Sequence, residues 1–70
     1  MTQLEQLADA FDRGEVLTVA VALDKYGIYA LSQRCGELSR KWGYPVDSKF
    51  VTVPSGKVVK EYFKGGVAHG

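Results

Sequence analysis

The 70-residue sequence predicts an α+β fold, three short helices followed by a β-hairpin, on three observations. Apolar residues recur at helical spacing in three windows, each closed by a glycine: Gly14, Gly27 and Gly43. Past Pro45 the chain turns to β-formers, Val46 to Val53 and Lys57 to Phe63, with Pro54-Ser55-Gly56 between them. The length leaves no room for a second core, and a 46% hydrophobic content suffices for one. Residues 1–64 therefore read as one domain and residues 65–70, with two glycines and no periodicity, as a mobile tail.

Thr2 and Glu5 have capping-box spacing, and Leu4, Leu7, Ala8 and Phe11 follow at i, i+3, i+4 and i+7, so the first helix runs from about Thr2 to Arg13. Gly14 suits a left-handed stop, and Glu15-Val16-Leu17 reads as a short strand between helices. Thr18 caps a second helix whose stripe is Val19, Ala22, Leu23 and Tyr26. The third helix is expected from about Tyr29 to Trp42. Its Leu31, Cys35, Leu38 and Trp42 fall within about 60° of one another, an inward stripe. Tyr29, Gln33, Gly36, Glu37 and Arg40 project from the opposite face, with Ser32, Ser39, Arg34 and Lys41 on its flanks. Trp42, Tyr44 and Phe50 are assigned to the core, where a small domain needs large side chains.

Pro45 forbids helix at Tyr44, and Val53-Pro54-Ser55-Gly56 fits a type I turn with Pro second and Gly left-handed. Pairing Val53 with Lys57 sets Phe50 opposite Lys60 and Lys49 opposite Glu61. Phe50 then shares a face with Val46, Val58 and Tyr62, while Val51, Val59 and Phe63 make the other face partly apolar.

The first residues carry no secretory pattern, and no apolar run approaches the roughly 20 residues that span a bilayer. The single cysteine, Cys35, has no partner for an internal disulfide, so a cytoplasmic setting is expected. Catalysis finds no support. The only histidine, His69, lies in the tail, leaving no fixed base for Cys35 or a serine. One Cys and one His do not make a four-ligand zinc site, so no metal or cofactor is expected and the chain reads as non-enzymatic.

The net charge of +1 conceals an asymmetry. Residues 1–28 hold five acidic and two basic side chains, a net −3, whereas residues 29–70 hold seven basic and three acidic, a net +4. A basic second half is the footprint of a polyanion-binding face, although solubility also explains such a split.

Two helices joined by a Gly-containing turn, the second with a polar outer face, then a basic hairpin, is the element order of a winged helix-turn-helix domain. Leu31-Ser32-Gln33-Arg34-Cys35-Gly36-Glu37-Leu38, then Arg40-Lys41-Trp42-Gly43-Tyr44-Pro45-Val46 and Ser55-Gly56-Lys57-Val58-Val59-Lys60-Glu61-Tyr62, resembles the small winged-helix proteins of phages and prophages. The likeness covers about residues 15–63. The chain departs from the family pattern by one extra residue between Leu38 and Gly43, and by Val58 where a basic residue is usual.

The resemblance implies duplex DNA binding as a transcriptional regulator or excisionase-like factor, acting as a dimer or beside a second DNA-binding protein. The residues expected at DNA are Tyr29, Ser32, Gln33, Gly36, Arg40 and Lys41 of the third helix and Lys57 and Lys60 of the hairpin. Gln33 suits adenine, Arg40 guanine or phosphate, and Gly36 close approach to a partner's backbone. Each has a plainer reading: a solvated helix face, lysines that guard a sheet edge, or a glycine at a helix contact. Glu37 either accepts from a cytosine amino group or pairs with Arg34, Arg40 or Lys41. The rival function is a protein-interaction module, such as a phage-encoded modulator of a host protein, using acidic helix 1 or Val51, Val59 and Phe63.

Overall fold

The computed structural model describes residues 2–66, in the order α1 (Gln3–Asp12), α2 (Val19–Tyr26), α3 (Leu31–Trp42), β1 (Val46–Thr52) and β2 (Val58–Lys64). The capping box forms: Thr2 Oγ1 accepts from the Glu5 amide at 3.2 Å, and the Thr2 amide donates to Glu5 Oε1 at 2.9 Å. These bonds satisfy two groups that a helix start otherwise leaves unpaired. Asp12 ends α1, Arg13 caps it, and Gly14 turns the chain away at φ +84°.

The short strand expected between α1 and α2 does not form. Leu17 alone makes a bridge, its amide donating to the Tyr62 carbonyl at 2.8 Å and its carbonyl accepting from the Tyr62 amide at 2.7 Å. Of the three residues between Gly14 and the Thr18 cap, Glu15 is still tied to the end of α1, its amide donating to the Ala10 carbonyl at 3.0 Å, so only Leu17 pairs with β2. Thr18 Oγ1 accepts from the Val21 amide, which commits the chain to helix directly after Leu17.

α2 ends at Gly27, in the left-handed region at φ +68°. The expected stripe of α2 is not its buried face: Val19 is 50% exposed and Leu23 41% exposed, while Ala22 is buried and Tyr26 half-buried. Leu17 before the helix and Ile28 after it are both fully buried and fill the space the stripe would have taken.

α3 begins at Leu31 rather than Tyr29, because Ala30 (φ −111°, ψ 64°) is not helical and Ile28 is pinned in the core. Tyr29 is therefore a turn residue, 81% exposed. Leu31, Cys35 and Leu38 face inward as expected. Trp42 does not: it is 49% exposed, since α3 stops at Gly43 and only one side of the indole meets protein. Phe50 is likewise outside the core, 71% exposed on a hairpin that reaches beyond α3's cover. Tyr44 alone of the three aromatics packs against the core, its ring stacked on Phe11 at 6.2 Å between centroids.

The hairpin has the expected register. Phe50 opposes Lys60, Lys49 opposes Glu61, and the Val53 amide donates to the Lys57 carbonyl at 2.9 Å. The Gly56 amide closes the turn onto the Val53 carbonyl at 2.8 Å, with Gly56 at φ +89°. β2 runs through Lys64, and the Gly65 amide donates to the Pro45 carbonyl at 2.9 Å. Residues 67–70, with His69, lie outside the described residues.

One core joins these parts: Leu7, Ala10 and Phe11 of α1, Leu17, Ala22, Ile28, then Leu31, Cys35 and Leu38 of α3 and Tyr62 of β2. No helix among the described residues is long and apolar enough to cross a membrane.

Candidate nucleic-acid interface

Helical spacing divides the exposed surface of α3 into two flanks. Ser32, Gly36 and Ser39, at i, i+4 and i+7, line a groove whose other wall is Asp47, Ser48 and Lys60 of the hairpin. Arg34, Glu37, Lys41 and Trp42 of α3 line a second cleft, shared with Thr2, Gln3 and Leu4 at the start of α1. Gln33 and Arg40 are exposed, and the Arg40 guanidinium lies over Gly36, 3.2 Å from where a Cβ there would stand. The half-buried Gly36 thus leaves room for a neighbouring side chain inside its own helix, a role the sequence did not disclose.

Register and alternation give the two hairpin faces different chemistry. Ser48, Phe50 and Thr52 share a face with Val58, Lys60 and Tyr62, and the groove contacts of Ser48, Lys60 and Tyr62 turn this face toward α3. The carboxylates Asp47 and Glu61 belong to the opposite face. Asp47 also bends back to accept the Ser48 amide at 2.8 Å.

The ion pairs sort the cations into two groups. Arg13 pairs with Asp9 and Glu15, Lys25 with Glu15, Arg34 and Lys41 with Glu37, and Lys64 with Asp12. Among the described residues, Arg40, Lys49, Lys57 and Lys60 make no ion pair. All four stand on α3 or the hairpin. Lys60 sits instead near two rings, its ammonium 5.6 Å from the Phe50 centroid and 5.4 Å from that of Tyr62.

Of the residues expected at a nucleic acid, the structure gathers Ser32, Gly36 and Lys60 at one groove, with Gln33 and Arg40 exposed on α3 and Lys57 exposed at the turn. It does not bring in Lys41, which bonds Glu37 on the α1 flank, or draw Tyr29 onto the helix. Glu37 takes the ion-pair role among its two readings. Ser48 and Phe50 join the surface unforeseen, and Ser39, expected on the flank of the polar face but not at a nucleic acid, lines the groove. Ser39 stood in the sequence at i+7 from Ser32, but the placement of Ser48 needed the docking of the hairpin on α3.

The Cys35 side chain is buried against the core beneath the groove, and burial pushes its thiol pKa up to about 11. No family model, curated protein or solved structure matches the chain.

Proposed function

We propose that the domain binds duplex DNA, with α3 against the major groove and the hairpin against the flanking backbone, in the phage-regulator role that the sequence resemblance implies. The observation that carries this reading is the distribution of ion pairs. Among the described residues, Arg13, Lys25, Arg34, Lys41 and Lys64 are already paired with carboxylates, whereas Arg40 of α3 and Lys57 and Lys60 of the hairpin make no ion pair and keep their charge for a partner. Lys49, also without one, lies on the opposite hairpin face across from Glu61. Phosphates are the partner that such a set suits, because neutralising them releases condensed counterions. Gln33 and Arg40 are the side chains offered to base edges, and Ser32 and Ser39 are short donors that let the backbone approach closely.

The test is an anisotropy titration of mixed-sequence duplex at two salt concentrations. Arg40→Gln with Lys57→Gln is expected to lower the log-log salt slope by about 2 without unfolding the protein. A wild-type protein that fails to bind at low salt sinks the proposal.

One observation favours the protein-interaction reading instead. Val16, Val19 and Leu23 are exposed around α2, and Thr18, Val19, Ala20 and Val59 line an apolar groove between α2 and β2. Absence of DNA binding would turn attention to that surface.

A further inference from the structure

We propose that Phe50 is a wedge, entering a base step from the minor groove and bending the duplex. This inference rests on the DNA-binding reading and adds the mode of engagement.

Phe50 and Val58 are the two most exposed apolar side chains of the hairpin, at 71% and 63%, and both lie on the face turned toward α3. Neither belongs to the core cluster or packs against it, so the fold does not account for them. Phe50 and Val58 are diagonal neighbours across the two strands, so together they form one exposed apolar patch rather than scattered single residues.

The surroundings state the chemistry of a ligand for this patch. By strand alternation Asp47 and Glu61 fall on the face opposite Phe50, and of the two only Asp47 also reaches the wall of the α3 groove. The Lys60 ammonium is held 5.6 Å from the ring centroid, and Lys57 is exposed where the turn meets β2. An apolar ring framed by unpaired cations fits a partner with an apolar interior behind an anionic rim. A base stack between two phosphate rows is such a partner. Side chains of this type, inserted between base steps, unstack them and kink the duplex by roughly 20–90°. Phe50 faces the same side as the groove wall of α3, so the ring and α3 are able to address one duplex together.

The experiment uses the whole chain and a short duplex labelled at both ends, so that energy transfer reports bending while anisotropy reports affinity. A second duplex carries one central mismatched pair, which lowers the unstacking cost. Wild-type protein is expected to raise transfer on binding and to prefer the mismatched duplex by about tenfold. Phe50→Ala is expected to bind the paired and mismatched duplexes equally, with no rise in transfer and no mismatch preference. Phe50→Leu, a smaller wedge, should keep part of both. Binding without bending by the wild type, or equal bending by Phe50→Ala, overturns the wedge and leaves DNA binding standing. Binding to neither duplex overturns both readings. If Phe50 serves a protein contact instead, Phe50→Ala leaves affinity, bending and mismatch preference at their wild-type values.

Discussion

Two aromatic residues with similar prospects in the sequence have opposite fates in the fold. Phe11 is 1% exposed and stacks on Tyr44, whereas Trp42 keeps about half its surface in water. The energetic consequence follows from what each change would uncover. Phe11→Ala is expected to cost about 3–5 kcal/mol, enough to unfold a domain whose whole stability is of the order of 5 kcal/mol. Trp42→Ala is expected to cost about 1–2 kcal/mol, in proportion to its partial burial. Urea titrations followed by circular dichroism compare the two variants. Equal losses would place the indole in the core after all. The sequence stripe of Leu31, Cys35 and Leu38 was legible because helical spacing alone puts three residues on one line. It failed at Trp42 because spacing does not say where the neighbouring element ends.

At the scale of elements, local chemistry was the dependable guide. The Thr2–Glu5 box, the Thr18 cap, the glycine stops and the hairpin register all follow from bonds between residues a few positions apart. The turn is the sharpest case. Gly56 sits at φ +89°, a conformation in which a Cβ is strained whatever the space around it, and nothing lies within 4 Å of one built there. Gly56→Ala is therefore expected to destabilise by about 1–2 kcal/mol through backbone strain alone. Thermal melts provide the measurement, and a melting temperature equal to wild type would mean that the turn relaxes to another form. α2 was the least legible element. Val19 and Leu23 have helical apolar spacing, yet Leu17 and Ile28 from the flanking turns occupy the core instead.

For the whole molecule, carboxylates tie elements distant in sequence. Tyr44 donates to Asp12 at 2.6 Å and Lys64 to the same oxygen at 3.3 Å, which fastens the end of β2 to α1. The Tyr44 hydrogen bond, then Lys64, hold the Asp12 carboxyl below its ordinary pKa. Glu15 accepts from Lys25, Arg13 and Tyr26 and joins the α1–α2 connection to the end of α2. Lys25 first and Arg13 second pull its carboxyl from 4.5 down to about 2. A carboxyl depressed in the folded state stabilises above its unfolded pKa, and that contribution disappears as pH falls toward the folded value. Stability should therefore decline between about pH 4.5 and 2. Arg13 and Lys25 are half exposed, and water screens the pair, so the Glu15 share is discounted to about 1 kcal/mol. Chemical denaturation across this range should show a shallower acid limb for Glu15→Gln. An unchanged limb would assign the decline to other carboxylates.

The α+β class, the three helices, the hairpin and its register were readable from the chain, because caps, glycine stops and alternation act over a few residues. So was the basic second half. The candidate surface was not readable in full. Whether Arg40 or Lys41 keeps a free charge depends on which one reaches Glu37, and Ser48 joins α3 only once the hairpin docks. Phe50 and Trp42 look like core material in any sequence of this size. Their exposure arises because α3 ends at Gly43 and the hairpin reaches past it, and which surfaces meet is a property of packed elements rather than of any local stretch.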